Sequence, residues 1–332
     1  MSQESTDEKY MARCLQLAAN GRQNAKPNPM VGAVIVCGGR IIGEGYHVRC
    51  GEGHAEVNAF ASVSPIDEHL LPQSTMYVSL EPCSHYGKTP PCADLIVRKG
   101  VRRVVVGCVD PFARVSGRGI AKLREAGIEV RVGVLEAECR RLNERFMTVN
   151  TLHRPYIVLK WAQSSDGYID DHFRPVAFST QATKMLVHKL RAQSDAILVG
   201  RVTAERDRPQ LNVREWSGRD PLRLVLGGGT DMRAVMARLD EAKAQSLLVE
   251  GGRHTLQTFI DSGLWDEIRR ETASFCTGGG TAAPVLPSDI VQTDREVVDG
   301  NVIDTFRRAA HPAATEPQST TVEAHPTTAD FM

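Results

Sequence analysis

The sequence has no net charge and lacks long apolar runs. Its 332 residues include 40 Lys and Arg against 40 Asp and Glu, so no excess of positive charge indicates a nucleic-acid or membrane partner. No stretch of about 18 apolar residues occurs, and the N-terminal segment Met1–Tyr10 is acidic and polar. These features predict neither a membrane-spanning helix nor a secretory signal. They favour a protein that acts on a small molecule.

Cysteine is scarce and scattered, with 8 residues in the whole chain. Disulfide frameworks belong to short secreted chains, which this sequence does not resemble. The thiols are therefore expected to be core residues or metal ligands, in a reducing cytoplasm. Four of them fall in predicted helices or strands and are assigned to packing: Cys14, Cys37, Cys108 and Cys139.

The length predicts two domains rather than one core. Strand and helix signals alternate through residues 1–150, which predicts a three-layer α/β domain. The pattern restarts at Arg154-Pro155 and predicts a second α/β domain over residues 151–308. Residues 309–332 are rich in Ala, Pro and Thr with few large apolar groups, which predicts a disordered tail.

Apolar periodicity and turn residues predict the elements of each half. In the first half we predict a helix from a cap at Thr6 to Gly21, strands at 30–37 and 40–46 joined by Gly38-Gly39, a helix at 54–63, a strand at 76–80, a helix at 93–99, a strand at 101–108, a helix at 119–126, a strand at 129–132 and a helix at 136–146. In the second half we predict strands at 156–161, 196–200, 222–226 and 246–249, with helices at 181–193 and 255–262.

One set of residues indicates metal chemistry. His54-Ala55-Glu56 is followed by Glu81-Pro82-Cys83 and then by Cys92. Hydrolytic zinc sites use three protein ligands and keep one position for water, and one His with two Cys supplies such a set. Zinc deaminases combine these ligands with a Glu that is not a ligand and that transfers protons. The sequence therefore predicts zinc on His54, Cys83 and Cys92, with Glu56 as the proton carrier.

Helix geometry restricts where these residues can lie. Residues two apart do not share a helix face, so His54 and Glu56 reach one metal ion only from the first turn of a helix. His85 is a rival ligand near Cys83, but the pattern has no place for it, and a supporting or substrate-facing role is expected. Cys50 precedes His54 closely and is assigned no role.

The residues around this set resemble the family of bifunctional riboflavin-biosynthesis deaminase–reductases. The resemblance rests on the stretches PNPMVGAV, GYH, HAEV and EPCSHYGKTPPC, which begin at Pro27, Gly45, His54 and Glu81. The long gap between Cys83 and Cys92 is a feature of that family and argues against cytidine or tRNA-adenosine deaminases. The family implies a cytidine-deaminase-like first domain followed by a dihydrofolate-reductase-like α/β domain.

The resemblance also implies a substrate, 2,5-diamino-6-(5-phosphoribosylamino)pyrimidin-4-one, whose 2-amino group is replaced by oxygen. The family positions that bind this substrate correspond to Asn28, His47, Lys88 and Asp110. A phosphoribosyl group requires a cation such as Lys88, and a pyrimidine edge requires amide and carboxylate partners. One position departs from the family, because Phe112 stands where Asn is usual.

The second half resembles the family's NADPH-dependent reductase domain, through the stretches LKWA, SDG, LRAQS, DRP and VEGG. The resemblance places the dinucleotide at Ala162, Thr203, Asp207 and Gly252. It places the ribosyl-phosphate substrate at Arg191, Leu211, Arg214 and Glu250. The segment between Leu226 and Ser246 is shorter than in the family and contains Gly227-Gly228-Gly229 in place of an Asp-Ser turn, which predicts a shortened reductase domain.

These features favour deamination of the pyrimidine followed by NADPH-dependent reduction of the ribosyl group to a ribityl chain. One alternative is a deaminase whose second domain no longer reduces anything. Another is a nucleic-acid-editing deaminase, which the zero net charge opposes. A purely structural zinc site would need a fourth ligand, and none is evident. The expected assembly is a homo-oligomer formed through the reductase-like domain.

Overall fold

Two β-sheets organise the chain, one of five strands and one of seven in the part of the chain that the structure describes. That part comprises residues 2–86, 90–112, 116–229 and 231–309 of a computed structural model. Both predicted α/β halves are confirmed. The domain boundary near residue 150 stays a prediction. The predicted tail, apart from Ala309, lies outside the described residues.

The first sheet has the order β2-β1-β3-β4-β5, and its strands are β1 (Gly32–Cys37), β2 (Arg40–Tyr46), β3 (Thr75–Leu80), β4 (Arg103–Cys108) and β5 (Glu129–Val132). β1 and β2 form the predicted hairpin, whose turn uses Gly38 and Gly39 at φ values of 57° and 79°. β3, β4 and β5 run parallel. Their carboxyl ends therefore lie at one edge of the sheet, where loops can carry functional groups.

Helices cover both faces of this sheet. They are α1 (Gln3–Ala19), α2 (Ala55–Ala61), α3 (Cys92–Lys99), α4 (Arg118–Glu125), α5 (Glu136–Leu142) and α6 (Glu144–Leu152), with a 3₁₀ turn at Glu68–Gln73. α2, α3 and α4 bury Phe60, Ile96 and Leu123 against one face. α1 and α5 bury Cys14 and Cys139 against the other, which confirms the predicted three layers and the packing role of these two thiols.

Two local predictions in the first half are wrong. Ser2, not Thr6, caps α1, because its side chain accepts a hydrogen bond from the N–H of Ser5. The single helix predicted at 136–146 is two helices that meet at Asn143. The buried Asn143 side chain bonds both backbone polar groups of Met30, each at 2.8 Å. The break in the helix thus anchors the segment that leads into β1.

The second sheet has the order β11-β12-β10-β6-β9-β7-β8. Its strands are β6 (Tyr156–Gln163), β7 (Ala196–Gly200), β8 (Leu222–Leu226), β9 (Ser246–Glu250), β10 (Glu267–Thr272), β11 (Ile290–Val298) and β12 (Asn301–Arg308). Its helices are α7 (Gln181–Gln193), α8 (Arg201–Arg206), α9 (Met232–Glu241) and α10 (Arg253–Asp261). The elements predicted in this half are present, and α8, α9 and β10 to β12 were not predicted.

The strands β6, β7, β8, β9 and β10 run parallel, and helices pack on both faces of the sheet. On one face α9 and α10 bury Leu239 and Phe259, and on the other α7 buries Leu190. β9 lies between β6 and β7 although it follows both in sequence. Such a reversal of strand order opens a crevice outside the carboxyl ends of the strands, where open α/β sheets bind ligands.

Candidate metal centre and second cleft

The three predicted zinc ligands converge at the carboxyl edge of the first sheet. His54 is the residue just before α2, Cys92 is the first residue of α3, and Cys83 follows β3. Their ligand atoms all lie within 4.8 Å of one another. Nδ1 of His54 is 3.3 Å from Sγ of Cys92 and 3.6 Å from Sγ of Cys83. Glu56 lies in the first turn of α2, as predicted, and His54 is the capping residue directly before that turn.

The spacing of these atoms suits zinc. Zinc binds sulfur at about 2.3 Å and nitrogen at about 2.0–2.1 Å with tetrahedral angles, which places neighbouring ligand atoms about 3.6 Å apart. The two measured separations agree with this value. Among the described residues, these three form the only group of His, Cys, Asp and Glu side chains with metal-binding spacing. Three ligands leave the fourth zinc position for water.

The two thiols are coupled, so that one ionises readily while the other resists ionisation. The pKa of Cys83 is lowered to about 4, chiefly because the Cys92 thiol donates a hydrogen bond to its sulfur. Burial raises this pKa, and His54 lowers it further. The backbone N–H of Cys92 donates to Sγ of Cys83 at 3.3 Å, from the start of α3. Both the bond to Cys83 and burial raise the pKa of Cys92. A cation shared by both sulfurs is what lets both become thiolates.

Glu56 is the second residue of α2 and is buried, at 3% exposure. Burial raises the pKa of its carboxyl to about 7, and the Cys83 sulfur adds to the rise. A carboxyl with a pKa near neutrality can both accept and donate a proton, which is the property required of a general acid–base. Its position beside the three ligands matches the predicted role.

A cavity of about 390 Å³ opens beside the metal ligands, and three predicted substrate residues line it: Asn28, His47 and Asp110. Nδ1 of His47 lies 3.1 Å from the carbonyl oxygen of Gly53, so this nitrogen donates the hydrogen bond. The Nε2 atom of His47 then accepts from the amide of Asn28 at 3.1 Å. Burial lowers the pKa of His47, which keeps the ring neutral. The bond leaves Oδ1 of Asn28 as an acceptor.

Asp110, Phe112 and His85 also line this cavity. Burial raises the pKa of Asp110 to about 6, and Oδ1 of its carboxyl accepts from the N–H of Phe112 at 2.8 Å. The rings of Phe112 and His85 meet edge to face at 6.2 Å. This position supports a substrate-facing rather than a ligand role for His85. Lys88 lies outside the described residues.

Glu81 belongs to the quoted motif, but its role was not predicted. Its buried carboxylate accepts four backbone N–H groups, from Asp110, Gly117, Gly119 and Ile120, at 2.9–3.3 Å. These donors belong to the loop after β4 and to the first turn of α4. Glu81 therefore ties the strand end that leads to Cys83 to the loop that carries Asp110. The sequence feature that could have indicated this role is a Glu placed between the end of a strand and a metal ligand.

A second cleft, of about 1070 Å³, lies at the carboxyl ends of β6, β7, β8 and β9. All four predicted dinucleotide residues line it: Ala162, Thr203, Asp207 and Gly252. Gly252 is the N-terminal cap of α10, a nine-residue helix whose N–H groups favour phosphate. Four arginines and a histidine line the same cleft: Arg191, Arg201, Arg206, Arg253 and His254. These features fit the phosphates of a dinucleotide.

Three of the four predicted ribosyl-phosphate residues line the cleft as well: Arg191, Leu211 and Glu250. Arg191 forms a bidentate pair with Glu250, with contacts of 2.9 and 2.7 Å. Burial alone would raise the pKa of Glu250, but the Arg191 guanidinium lowers it. Arg214 is not among the lining residues, and its side chain instead bonds Oδ1 of Asn212 at 3.0 Å.

Lys160 lines the cleft but was not among the predicted residues. It lies on β6, beside Glu250 of β9 in the register of the sheet, and its Nζ is 3.8 Å from Glu271. Lys160 therefore adds a cation beside the Arg191–Glu250 pair, although its ammonium also lies near Glu271. The sequence feature that could have indicated this residue is the Lys of the stretch LKWA, directly before Trp161.

Comparison with known proteins gives the same division of the chain. The family model of the cytidine and deoxycytidylate deaminase zinc-binding region matches residues 4–108. The model of the RibD C-terminal domain matches residues 155–232 and 220–298. The riboflavin biosynthesis protein RibD of Aquifex aeolicus is 37% identical in an alignment that covers 79% of this chain and 85% of the relative. The chain belongs to the RibD family.

Solved structures of the family agree over nearly the whole chain. One is the diaminohydroxyphosphoribosylaminopyrimidine deaminase/5-amino-6-(5-phosphoribosylamino)uracil reductase of Thermotoga maritima, which is 33% identical. Its superposition has a TM-score of 0.84 and covers 92% of this chain and 100% of the relative. RibD of Acinetobacter baumannii is 30% identical, with a TM-score of 0.81 and the same coverage. The C-terminal model matches residues on both sides of the 227–245 segment, so the alternative of a deaminase with a disabled reductase domain is not favoured.

The metal centre generates the first testable prediction. Purified protein should contain about one zinc per chain, and Cys92→Ala should lose most of it, because two remaining ligands do not hold zinc against a chelator. Cys50→Ala is the matched control, since this exposed thiol lies outside the centre and its loss should leave zinc content unchanged. Full zinc occupancy in Cys92→Ala, measured by elemental analysis, would contradict the assigned ligand set.

Proposed function

We propose that this chain carries out two consecutive steps of riboflavin biosynthesis. The first is hydrolytic deamination of 2,5-diamino-6-(5-phosphoribosylamino)pyrimidin-4-one to 5-amino-6-(5-phosphoribosylamino)uracil. The second is NADPH-dependent reduction of the ribosyl group to a ribityl chain. The observation that carries the proposal is the set of three ligand atoms within 4.8 Å beside a buried Glu56, in a chain whose other half has a separate cleft.

In the deaminase site each residue has a distinct task. Zinc, when bound, activates the water that replaces the amino group. Glu56 takes a proton from that water and delivers it to the departing nitrogen, so ammonia leaves and oxygen remains on the ring. The neutral His47 holds Asn28, and Oδ1 of Asn28 accepts from an N–H of the pyrimidine in this proposal. Asp110 and Lys88 complete the proposed substrate contacts.

In the second cleft, the proposed ligands are a dinucleotide and the ribosyl phosphate. NADPH, when bound, supplies the hydride that reduces the sugar carbon. Gly252, Thr203, Asp207 and Ala162 hold the dinucleotide, with its phosphates at the start of α10. Arg191, Glu250 and Leu211 orient the ribosyl phosphate in this proposal. Arg214 is proposed as a further contact of the same phosphate, although its side chain bonds Asn212 and does not line the cleft. Both ligands must be held together, because hydride transfer requires the reacting carbons to be within near-attack distance.

The proposed compartment is a reducing cytoplasm, and the proposed assembly is a homo-oligomer formed through the second half. No helix among the described residues has the length and apolar character needed to cross a bilayer.

The outer strand β11 lies at the edge of its sheet and exposes Val291 and Val297, at 47% and 70%. An exposed edge of this kind suits pairing with another copy. Sedimentation of the full chain should show more than one copy, and a monomer would contradict the assembly.

The deaminase step has a direct test. Supplied with the diamino substrate, the protein should release ammonia and give the uracil product, identified by mass. Glu56→Gln should keep its zinc and lose about 10²–10⁴-fold in the rate of ammonia release, because its amide cannot carry the proton. Glu52→Gln is the control, since Glu52 is an exposed carboxylate near the same helix. Deamination by Glu56→Gln at the normal rate would overturn the assigned role.

The reductase step is tested with the deaminated intermediate supplied directly, so that the first site does not limit the rate. NADPH oxidation should be observed, and Arg191→Ala should lower kcat/KM by at least about 10-fold, because a hydrogen bond to a charged group contributes about 1.5–3 kcal/mol. Arg238→Ala, which removes an exposed ion pair outside the cleft, should have no effect. If NADPH neither binds nor is oxidised, the second half is a disabled reductase domain.

A further inference from the structure

The segment that carries Asn28 is held by side chains of the second half. Nζ of Lys26 is 2.9 Å from a carboxylate oxygen of Asp195 and donates to the carbonyl oxygen of Gln193 at 3.0 Å. The side-chain amide of Gln245 donates to the carbonyl oxygen of Pro27 at 2.6 Å. Two consecutive residues before Asn28 are thus fixed by the domain that does not contain the metal centre.

Gln245 is itself held in place. Oδ2 of Asp195 accepts the backbone N–H of Gln245 at 3.0 Å and the hydroxyl of Ser246 at 2.8 Å. Gln245 is buried and is the residue before β9, a strand in the interior of the second sheet. A side chain that projects from such a fixed backbone has little freedom to move. Its amide therefore presents a rigid donor to the carbonyl of Pro27.

The other side of Asn28 is anchored within the first half. Asn143 bonds the N–H and the carbonyl of Met30, each at 2.8 Å. Asn28 therefore lies between an anchor supplied by its own domain and one supplied by Gln245. Gln245 also lines the cavity that contains His47 and the metal ligands. The deaminase cavity is completed by a residue of the second half.

From this arrangement we infer that Gln245 is a positioning residue for deamination, acting through Pro27 on Asn28. The inference rests on the proposed deaminase function. If the bond from Gln245 is lost, Asn28 must be ordered when substrate binds, which weakens binding. The Gln245 side chain bonds Pro27 and makes no hydrogen bond to Glu56 or the metal ligands within the described residues, so the chemical step should be unchanged. The expected signature is a higher KM at nearly constant kcat.

Gln245→Met tests the inference in the full chain. Met has a similar length but cannot donate to the Pro27 carbonyl. Loss of one hydrogen bond of about 1 kcal/mol should raise KM for the diamino substrate about 5-fold, with kcat within about 2-fold of the unchanged protein. NADPH oxidation with the deaminated intermediate should not change, since Gln245 does not line the second cleft. Gln181→Met, which removes an exposed amide bonded to Glu215, is the matched control.

Two measurements separate positioning from a loss of folding. Zinc content reports on the first half, and tryptophan fluorescence reports on the second, because Trp161, Trp216 and Trp265 all lie there. Lys26→Gln provides a second variant on the same segment, and it should also raise KM if Gln245→Met does not fold. Unchanged KM in the folded variants, or equal losses in kcat and in NADPH oxidation, would overturn the inference. Absence of ammonia release by the unaltered protein would instead refute the proposed function.

Discussion

The first half depends on placing two thiols and a carboxylate close together in a largely buried site. Three acidic groups in such surroundings repel one another and oppose ionisation, as the raised pKa values of Glu56 and Cys92 show. Positive charge is needed to stabilise them, and a zinc ion with His54 supplies it. Helix starts add to this effect, because α2 and α3 both begin at the same edge of the sheet. The order of strands and helices brings the N-termini of α2 and α3 together.

The loops around the centre are fixed by backbone hydrogen bonds to one buried side chain. The carboxylate of Glu81 gathers four N–H groups from the loop after β4 and from α4. The close approach of α4 to the Glu81–Pro82 backbone requires glycine at position 119, because a Cβ atom there would lie 2.0 Å from the carbonyl oxygen of Pro82. The position of Asp110 in the cavity follows, because its own N–H is one of the four donors. Substrate contacts and metal ligands are therefore positioned by the same residue.

The sequence was sufficient for the metal ligands, because each lies at a strand or helix end that local patterns reveal. It was not sufficient for β10 and β12, since their interior contains charges such as Arg270 and Asp304, paired at 2.7 Å, instead of an apolar run. The sequence also could not predict long-range contacts, because no local pattern links Gln245 to Pro27. Family resemblance gave the residues of the second cleft, yet only the structure shows that Arg191 is already paired with Glu250 and that Arg214 lies apart from the lining.

The two sites are joined by the protein framework and not by a common cavity. Their cavities share no lining residue in the described part of the chain. β9 connects them, since it begins next to Gln245 at the deaminase side and ends at Glu250 in the second cleft. Its five residues span about 17 Å, at about 3.3 Å per residue. The halves are docked by Lys26 and Gln245 and also by the ion pair between Arg307 and Glu144, at 2.6 Å, so β9 holds the two sites in a fixed relation through several contacts.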